Sequence, residues 1–113
     1  MTSARFIQEG DAIDYTPGTD IDPGDVVVQG DLIGIARVAI PAGTLGALAL
    51  VGVFEVAKGA GAGVTFPAGA LVYWDDTNKL AVATDGAGAN KLLGKAITVA
   101  ADDDATVRVR LSP

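Results

Sequence analysis

Residues 84–93 read Thr-Asp-Gly-Ala-Gly-Ala-Asn-Lys-Leu-Leu, a glycine-rich run that ends at Lys91. A run of this kind holds a phosphate when backbone N–H groups, a lysine and a magnesium-binding hydroxyl converge at the start of a helix, in the spacing G-x-x-x-x-G-K-[ST]. Here Asn90 stands where glycine belongs before the lysine, and Leu92 stands where the hydroxyl belongs. The segment that follows, 92–99, has strand-like content with Gly94 inside it. The stretch therefore reads as a hairpin turn between residues 81–84 and 92–99, and no nucleotide site is expected.

Carboxylates are the other groups able to do chemistry. Asp75-Asp76 follow Val72-Tyr73-Trp74, and Asp102-Asp103-Asp104 precede the final apolar alternation. Paired carboxylates bind calcium or exchange protons. Adjacent ones on an extended chain point apart, however, and neither cluster has the alternating D-x-D-x-D-G spacing of a calcium loop. Both read as turns in which Asp bonds neighbouring backbone N–H groups; weak calcium binding at Asp102–Asp104 is left open. The chain has no His and no Cys, which excludes imidazole and thiolate metal sites, disulfides, and Ser/His/Asp or Cys/His nucleophiles. No catalytic, metal-ligating or cofactor-binding residue is expected, and the chain is read as a non-enzyme.

Charge narrows the partners. The 113 residues carry a net charge of -6 from 8 basic and 14 acidic side chains. Nucleic-acid affinity comes mostly from neutralising phosphates with Lys and Arg, so neither DNA nor RNA is expected as a partner. The acidity supports solubility or fits a basic partner surface. The N-terminal residues lack the apolar core of a signal peptide, and the longest apolar stretch, about 47–53, is too short to span a membrane. No membrane association is expected.

The elements that position these residues are short. Half of the chain is hydrophobic but only 5% is aromatic, so the core is expected to be built of small and branched side chains. Glycine and proline interrupt the sequence every few residues, with short runs of Val, Ile, Leu, Thr and Tyr between them. That pattern predicts an all-β fold, a small antiparallel β-barrel or sandwich with Gly/Pro-rich turns and at most one short helix. Strands are expected at about 4–8, 12–16, 25–29, 32–38, 46–50, 52–57, 71–75, 80–84, 92–99 and 105–111; the one helix candidate is 42–49, weakened by Gly43 and Gly46. A flexible N-terminal arm is expected over 1–10, with a single β domain over 11–113. The stretch 58–63, Lys-Gly-Ala-Gly-Ala-Gly, reads as an exposed loop with no side chain to pack a core.

Three turns repeat one device: Asp22-Pro23-Gly24-Asp25, Ile40-Pro41-Ala42-Gly43-Thr44 and Phe66-Pro67-Ala68-Gly69-Ala70 each place proline, then glycine, before an apolar run. Proline presets a turn dihedral and glycine permits a positive φ. In the last strand Val107, Val109 and Leu111 alternate with Thr106, Arg108 and Arg110. A strict period of two predicts one buried and one wet face. Arg108 and Arg110 are then either a solvated face or a contact to an acidic partner or neighbouring subunit. Tyr73 and Trp74 are either a core packing pair or an interface anchor, since Trp and Tyr favour interface centres.

The run Asp25-Val26-Val27-Val28-Gln29-Gly30-Asp31-Leu32-Ile33-Gly34 is similar in texture to lipoyl and biotinyl carrier domains. Such carriers need a modifiable lysine at a hairpin tip. Lys79 suits a tip, but its neighbours Thr77-Asn78 and Leu80 do not match the carrier pattern.

Seven stretches in order resemble another family more closely: Ile13–Pro17, Gly24–Val28, Ile40–Leu48, Gly52–Lys58, Gly69–Asp75, Leu93–Ala96 and Ala105–Leu111. Together they are similar to small tailed-phage proteins associated with capsid cement, or head decoration, and often labelled RecA/RadA-like recombinases. The recombinase label does not suit a chain with no phosphate loop, no basic surface and too little length for an ATPase core. The cement resemblance implies a non-enzymatic virion protein on the capsid exterior, assembled in the bacterial host cytoplasm. Its implied partners are the phage major capsid protein and itself, as a homotrimer, with no cofactor. It implies further that the N-terminal arm orders by strand addition to the shell, with Arg5, Phe6 and Ile7 as capsid contacts, and that Tyr73, Trp74, Arg108 and Arg110 serve interfaces. The alternative within the virion is a tail or baseplate β module.

Overall fold

The computed structural model describes residues 3–8, 10–59 and 65–111. Nine strands run through them: β1 (Ala12–Tyr15), β2 (Val26–Gln29), β3 (Leu32–Ile35), β4 (Gly46–Ala49), β5 (Val53–Ala57), β6 (Leu71–Asp75), β7 (Leu80–Val82), β8 (Lys91–Ala96) and β9 (Thr106–Leu111). They form two antiparallel sheets, one of four strands in the order β1-β4-β3-β2 and one of five in the order β5-β9-β8-β6-β7. The fold is an all-β sandwich.

Turn chemistry sets the strand entries as the sequence predicts. Gly24, Gly43 and Gly69 adopt φ of +88°, +76° and +84°. Each sits one residue before an N–H that closes the turn: Asp25 onto Asp22 O, Thr44 onto Pro41 O, and Ala70 onto Pro67 O. The latter two turns share a further feature. The residue before each proline, Ile40 and Phe66, is fully buried and forms an isolated antiparallel bridge, to Ile21 and Ala100 respectively. The Pro-Ala-Gly turns therefore act as pegs that pin loops onto the two sheets.

Packing follows the period of two. Val26 and Val28 of β2, opposite Ile35 and Ile33 of β3, face the five-stranded sheet. There they meet Val56, Phe66, Val72, Trp74, Leu93, Val107, Val109 and Leu111 in the main core. The other face of the small sheet packs Leu48, Ile13, Tyr15 and Val27 under Ile21, Ala36 and Ile40. Ile21 of the segment 16–25 packs against the back of the four-stranded sheet, while Thr19, Asp20, Gly24 and Asp25 line a cleft shared with residues 54–57, Trp74 and Lys79 of the other sheet. In the β6–β8 pairing the register slips between Val72, opposite Gly94, and Tyr73, opposite Leu92. Leu93 is the extra residue, and this bulge lets both Leu93 and Gly94 be buried.

The five-stranded sheet curls until its two edges touch at one point. Lys58, just beyond β5, forms a parallel bridge with Ala81 of β7. The sheet is otherwise open along these edges, so it stops short of a closed barrel.

Four sequence expectations are corrected. Residues 46–49 form a strand, not part of a helix: Gly46 is opposite Tyr15 and takes its place because a Cβ there would meet the Ile40 side chain at 2.8 Å. Residues 4–8 form no strand, since no neighbouring strand supplies a ladder for them. Residues 84–91 do not close a hairpin, because β7 and β8 both pair with β6, on its opposite sides, and the connection crosses the end of that strand. Lys58 is not part of an exposed loop: it is only 4% exposed. Residues 60–64 of that loop lie outside the described residues.

Candidate functional site

The glycine-rich connection 84–91 is satisfied by itself. The Asp85 carboxylate accepts from Ala87 N at 3.2 Å, and Asn90 Nδ2 donates to Thr84 O at 3.0 Å. A single 3-10 turn, Gly86–Gly88, leads into strand β8 and not into a helix. The backbone donors a phosphate loop would aim at its ligand are turned inward here.

The acidic pairs are likewise turn devices. Asp75 accepts from Thr77 N, Asn78 N and Asn78 Nδ2, at 3.1, 3.2 and 2.8 Å. The bonds from Asn78, side chain first and backbone next, hold its pKa below the usual 3.8. Asp76 Oδ1 accepts from Lys79 Nζ at 2.7 Å and from Trp74 Nε1 at 3.1 Å, and these bonds, the lysine's first, lower its pKa too. Lys79 does sit at the tip of the β6–β7 hairpin, with φ +57°, but its ammonium is engaged by Asp76. Asp102 accepts from the Thr65 hydroxyl, and Asp104 Oδ2 from Ala101 N at 2.8 Å. Among the described residues no group of three His, Cys, Asp or Glu side chains could hold a metal ion.

Surfaces remain, and they are distinctive. On β9, Val107, Val109 and Leu111 are buried while Arg108 and Arg110 are exposed, in the predicted alternation. Pairing extends this into a cross-strand row: Leu71 is opposite Lys95, Lys95 opposite Arg110, and Arg110 opposite Val53. One step along, Arg108 is opposite Glu55, and Ile97 N donates to its carbonyl. Lys95, Arg108 and Arg110 make no ion pair among the described residues; the two ion pairs found there are Lys79–Asp76 and Lys91–Asp31, each 2.7 Å. Lys95 was not singled out from sequence. Its membership of this face depends on strand register, which no single strand reveals.

Tyr73 and Trp74 go to opposite faces of β6. Trp74 is 6% exposed in the core, anchored by Asp76, while Tyr73 is half-buried on the basic face. The arm is the second surface. Arg5 is exposed, and Phe6 and Ile7 are 77% and 70% exposed. Two adjacent large apolar side chains held in water are costly, at about 1.5–3 kcal/mol each relative to full burial, and contacts elsewhere would recover that. The structure does not bring the arm and the basic face together through any described bond.

Comparison with known proteins agrees with a surface-driven role. No match was found among curated proteins or among solved structures. A family model described as phage cement protein matches residues 7–111, nearly the whole chain and every strand of both sheets. The chain belongs to the phage cement protein family.

Proposed function

We propose that this chain is a cement subunit that binds the outside of a phage head and stabilises the expanded shell, acting as a trimer and without catalysis. Family membership already gives it a structural, capsid-associated role. The observation that supports the finer reading is the exposed arm: Arg5, Phe6 and Ile7 precede β1 and leave two large apolar groups uncovered. An arm of this composition suits strand addition to a neighbouring sheet, where backbone bonds give affinity and alternate side chains give specificity. The other surface, Tyr73 with Arg108 and Arg110, serves contacts between copies, while Trp74 supports Tyr73 from within the core.

Thermodynamics supplies the mechanism. A protein that binds the expanded shell and not its precursor stabilises the former by mass action. A trimer that touches several shell subunits turns modest contacts into high avidity. The test is the ratio of this protein to the major capsid protein in purified virions of the encoding phage. A ratio on the order of one to one is the multivalent cement outcome. A handful of copies would assign the protein to the tail or baseplate, and complete absence would overturn the virion role.

A further inference from the structure

We propose that the outer face of the five-stranded sheet receives the acidic four-stranded layer of a second copy, so that subunits join head to tail. This deepens the self-association proposed above and rests on it. The basic face carries Lys95, Arg108 and Arg110, all exposed and without ion pairs among the described residues, against the exposed Glu55, which lies opposite Arg108 and accepts from the Thr106 hydroxyl. Val53, Leu71 and Ile97, 54%, 45% and 42% exposed, flank them and supply apolar area to bury.

The opposite layer has the complementary charge. Between residues 11 and 51 the chain has six Asp and a single base, Arg37, which lies near Asp11. Asp31 is paired with Lys91, but Asp11, Asp14, Asp20, Asp22 and Asp25 make no ion pair among the described residues, and all are exposed. Asp20, Asp22 and Asp25 lie on the segment whose Ile21 packs against the back of the four-stranded sheet. The four-stranded layer is therefore net acidic on both of its sides, with Asp14 alternating with Ile13 and Tyr15 on β1 and Asp20 and Asp22 on the segment behind the sheet, while the outer face of the five-stranded sheet is net basic. A symmetric contact through β9 would set arginine against arginine, and like charges across an interface are unfavourable. A contact between unlike patches is heterologous, and repeated contacts of that type close into a ring or propagate.

The test is sedimentation of the full chain at about 50 mM and about 500 mM salt, where screening lengths differ severalfold. Wild type should self-associate at low salt, and its dissociation constant should rise at least tenfold at high salt. Arg108→Glu/Arg110→Glu should be monomeric, as should Asp11→Lys/Asp14→Lys/Asp22→Lys; the carboxylates of these three aspartates hold no hydrogen bond among the described residues. In an equimolar mixture of the two variants both contacts between unlike chains are complementary, Arg face to Asp layer and Glu face to Lys layer, so association should return in complexes that alternate the two variants. The five changes combined in one chain should restore wild-type assembly. Unchanged thermal unfolding of each variant would show that the fold is intact. Three results would overturn the proposal: wild type monomeric at low salt, assembly unchanged in Arg108→Glu/Arg110→Glu, or loss of shell binding by that variant with self-association intact. The last would assign the basic face to the shell. Self-association is read without capsid, so its failure is distinct from failure of the cement role.

Discussion

The ammonium of Lys58 donates to the backbone carbonyl of Asp102 at 3.2 Å, across 44 residues of sequence, and to Gly59 O at 2.9 Å. Lys58 N also bonds Ala105 O at 2.9 Å, and the residue bridges to Ala81. One buried lysine thus joins the β5 edge, the β7 edge and the loop before β9. Burying an ammonium is costly unless it is paired and hydrogen-bonded, and the two carbonyls supply hydrogen bonds that offset part of that cost. Lys58→Met keeps the apolar stem and removes the charged donor, leaving both carbonyls without it. The expected loss is about 1.5–3 kcal/mol, read as a lower midpoint in urea unfolding.

Acid should weaken the β6–β7 hairpin. Asp75 and Asp76 have folded-state pKa values below the usual 3.8. Groups depressed in this way contribute stability that is fully present above the unfolded pKa and is lost as pH falls through the folded value. The melting temperature should therefore be insensitive to these two groups from pH 8 to about pH 5 and should fall below about pH 4. In Asp75→Asn that acid-dependent fall should be smaller, as melting curves from pH 2 to 7 would show.

Gly94 has no room for a side chain. A Cβ there would lie 2.0 Å from Arg110 O and 3.0 Å from Val109 Cγ1. The first clash is with backbone, so the β8–β9 ladder itself would have to move. Gly94→Ala should cost about 3 kcal/mol or more, measured by denaturant unfolding and accompanied by loss of the Trp74 fluorescence signature of the folded core.

The Lys91–Asp31 pair, by contrast, should matter little. It spans the two sheets at 2.7 Å, but its partners are 35% and 93% exposed. Exposed pairs contribute roughly 0–1 kcal/mol. Asp31→Asn should change unfolding free energy by less than about 1 kcal/mol, and a larger loss would mean that the sheets depend on this pair more than on their apolar contact.

Removing the arm separates folding from binding. Phe6 and Ile7 bury little of their surface in the isolated chain. Phe6→Ala/Ile7→Ala should leave the melting temperature within about 2 °C of wild type while reducing binding to undecorated shells at least tenfold. Unchanged shell binding would remove the arm from the proposed contact.

Most of the fold was legible because it is local. The Pro-Gly turns and the alternation in β9 are written within a few residues, and nine of the ten expected strands exist at close to their expected bounds. The exception, 4–8, shows what local composition omits: a strand needs a partner edge, and β1 already pairs with β4 through 12–15. Gly46 was read as a helix weakener, but it is there to make space for Ile40. Lys58 looked like loop because its two acceptors come from Gly59 and the distant Asp102. The basic face was half legible: Arg108 and Arg110 stand out along β9, whereas Lys95 joins them only through the β8–β9 register.

The strand order of the larger sheet has a kinetic consequence. β9 lies between β5 and β8, and Thr106 Oγ1 bonds Glu55 Oε1 across 51 residues. The β6–β7 hairpin can form early from its own turn. β5, however, has no strand ladder until β9 arrives, and that closes a long loop before any reward is gained. Folding should therefore be rate-limited by β9 insertion, on the order of milliseconds to seconds. Until then Val56, Phe66 and Val72 lack their β9 neighbours, which is the interval in which the newly made chain is most exposed to aggregation.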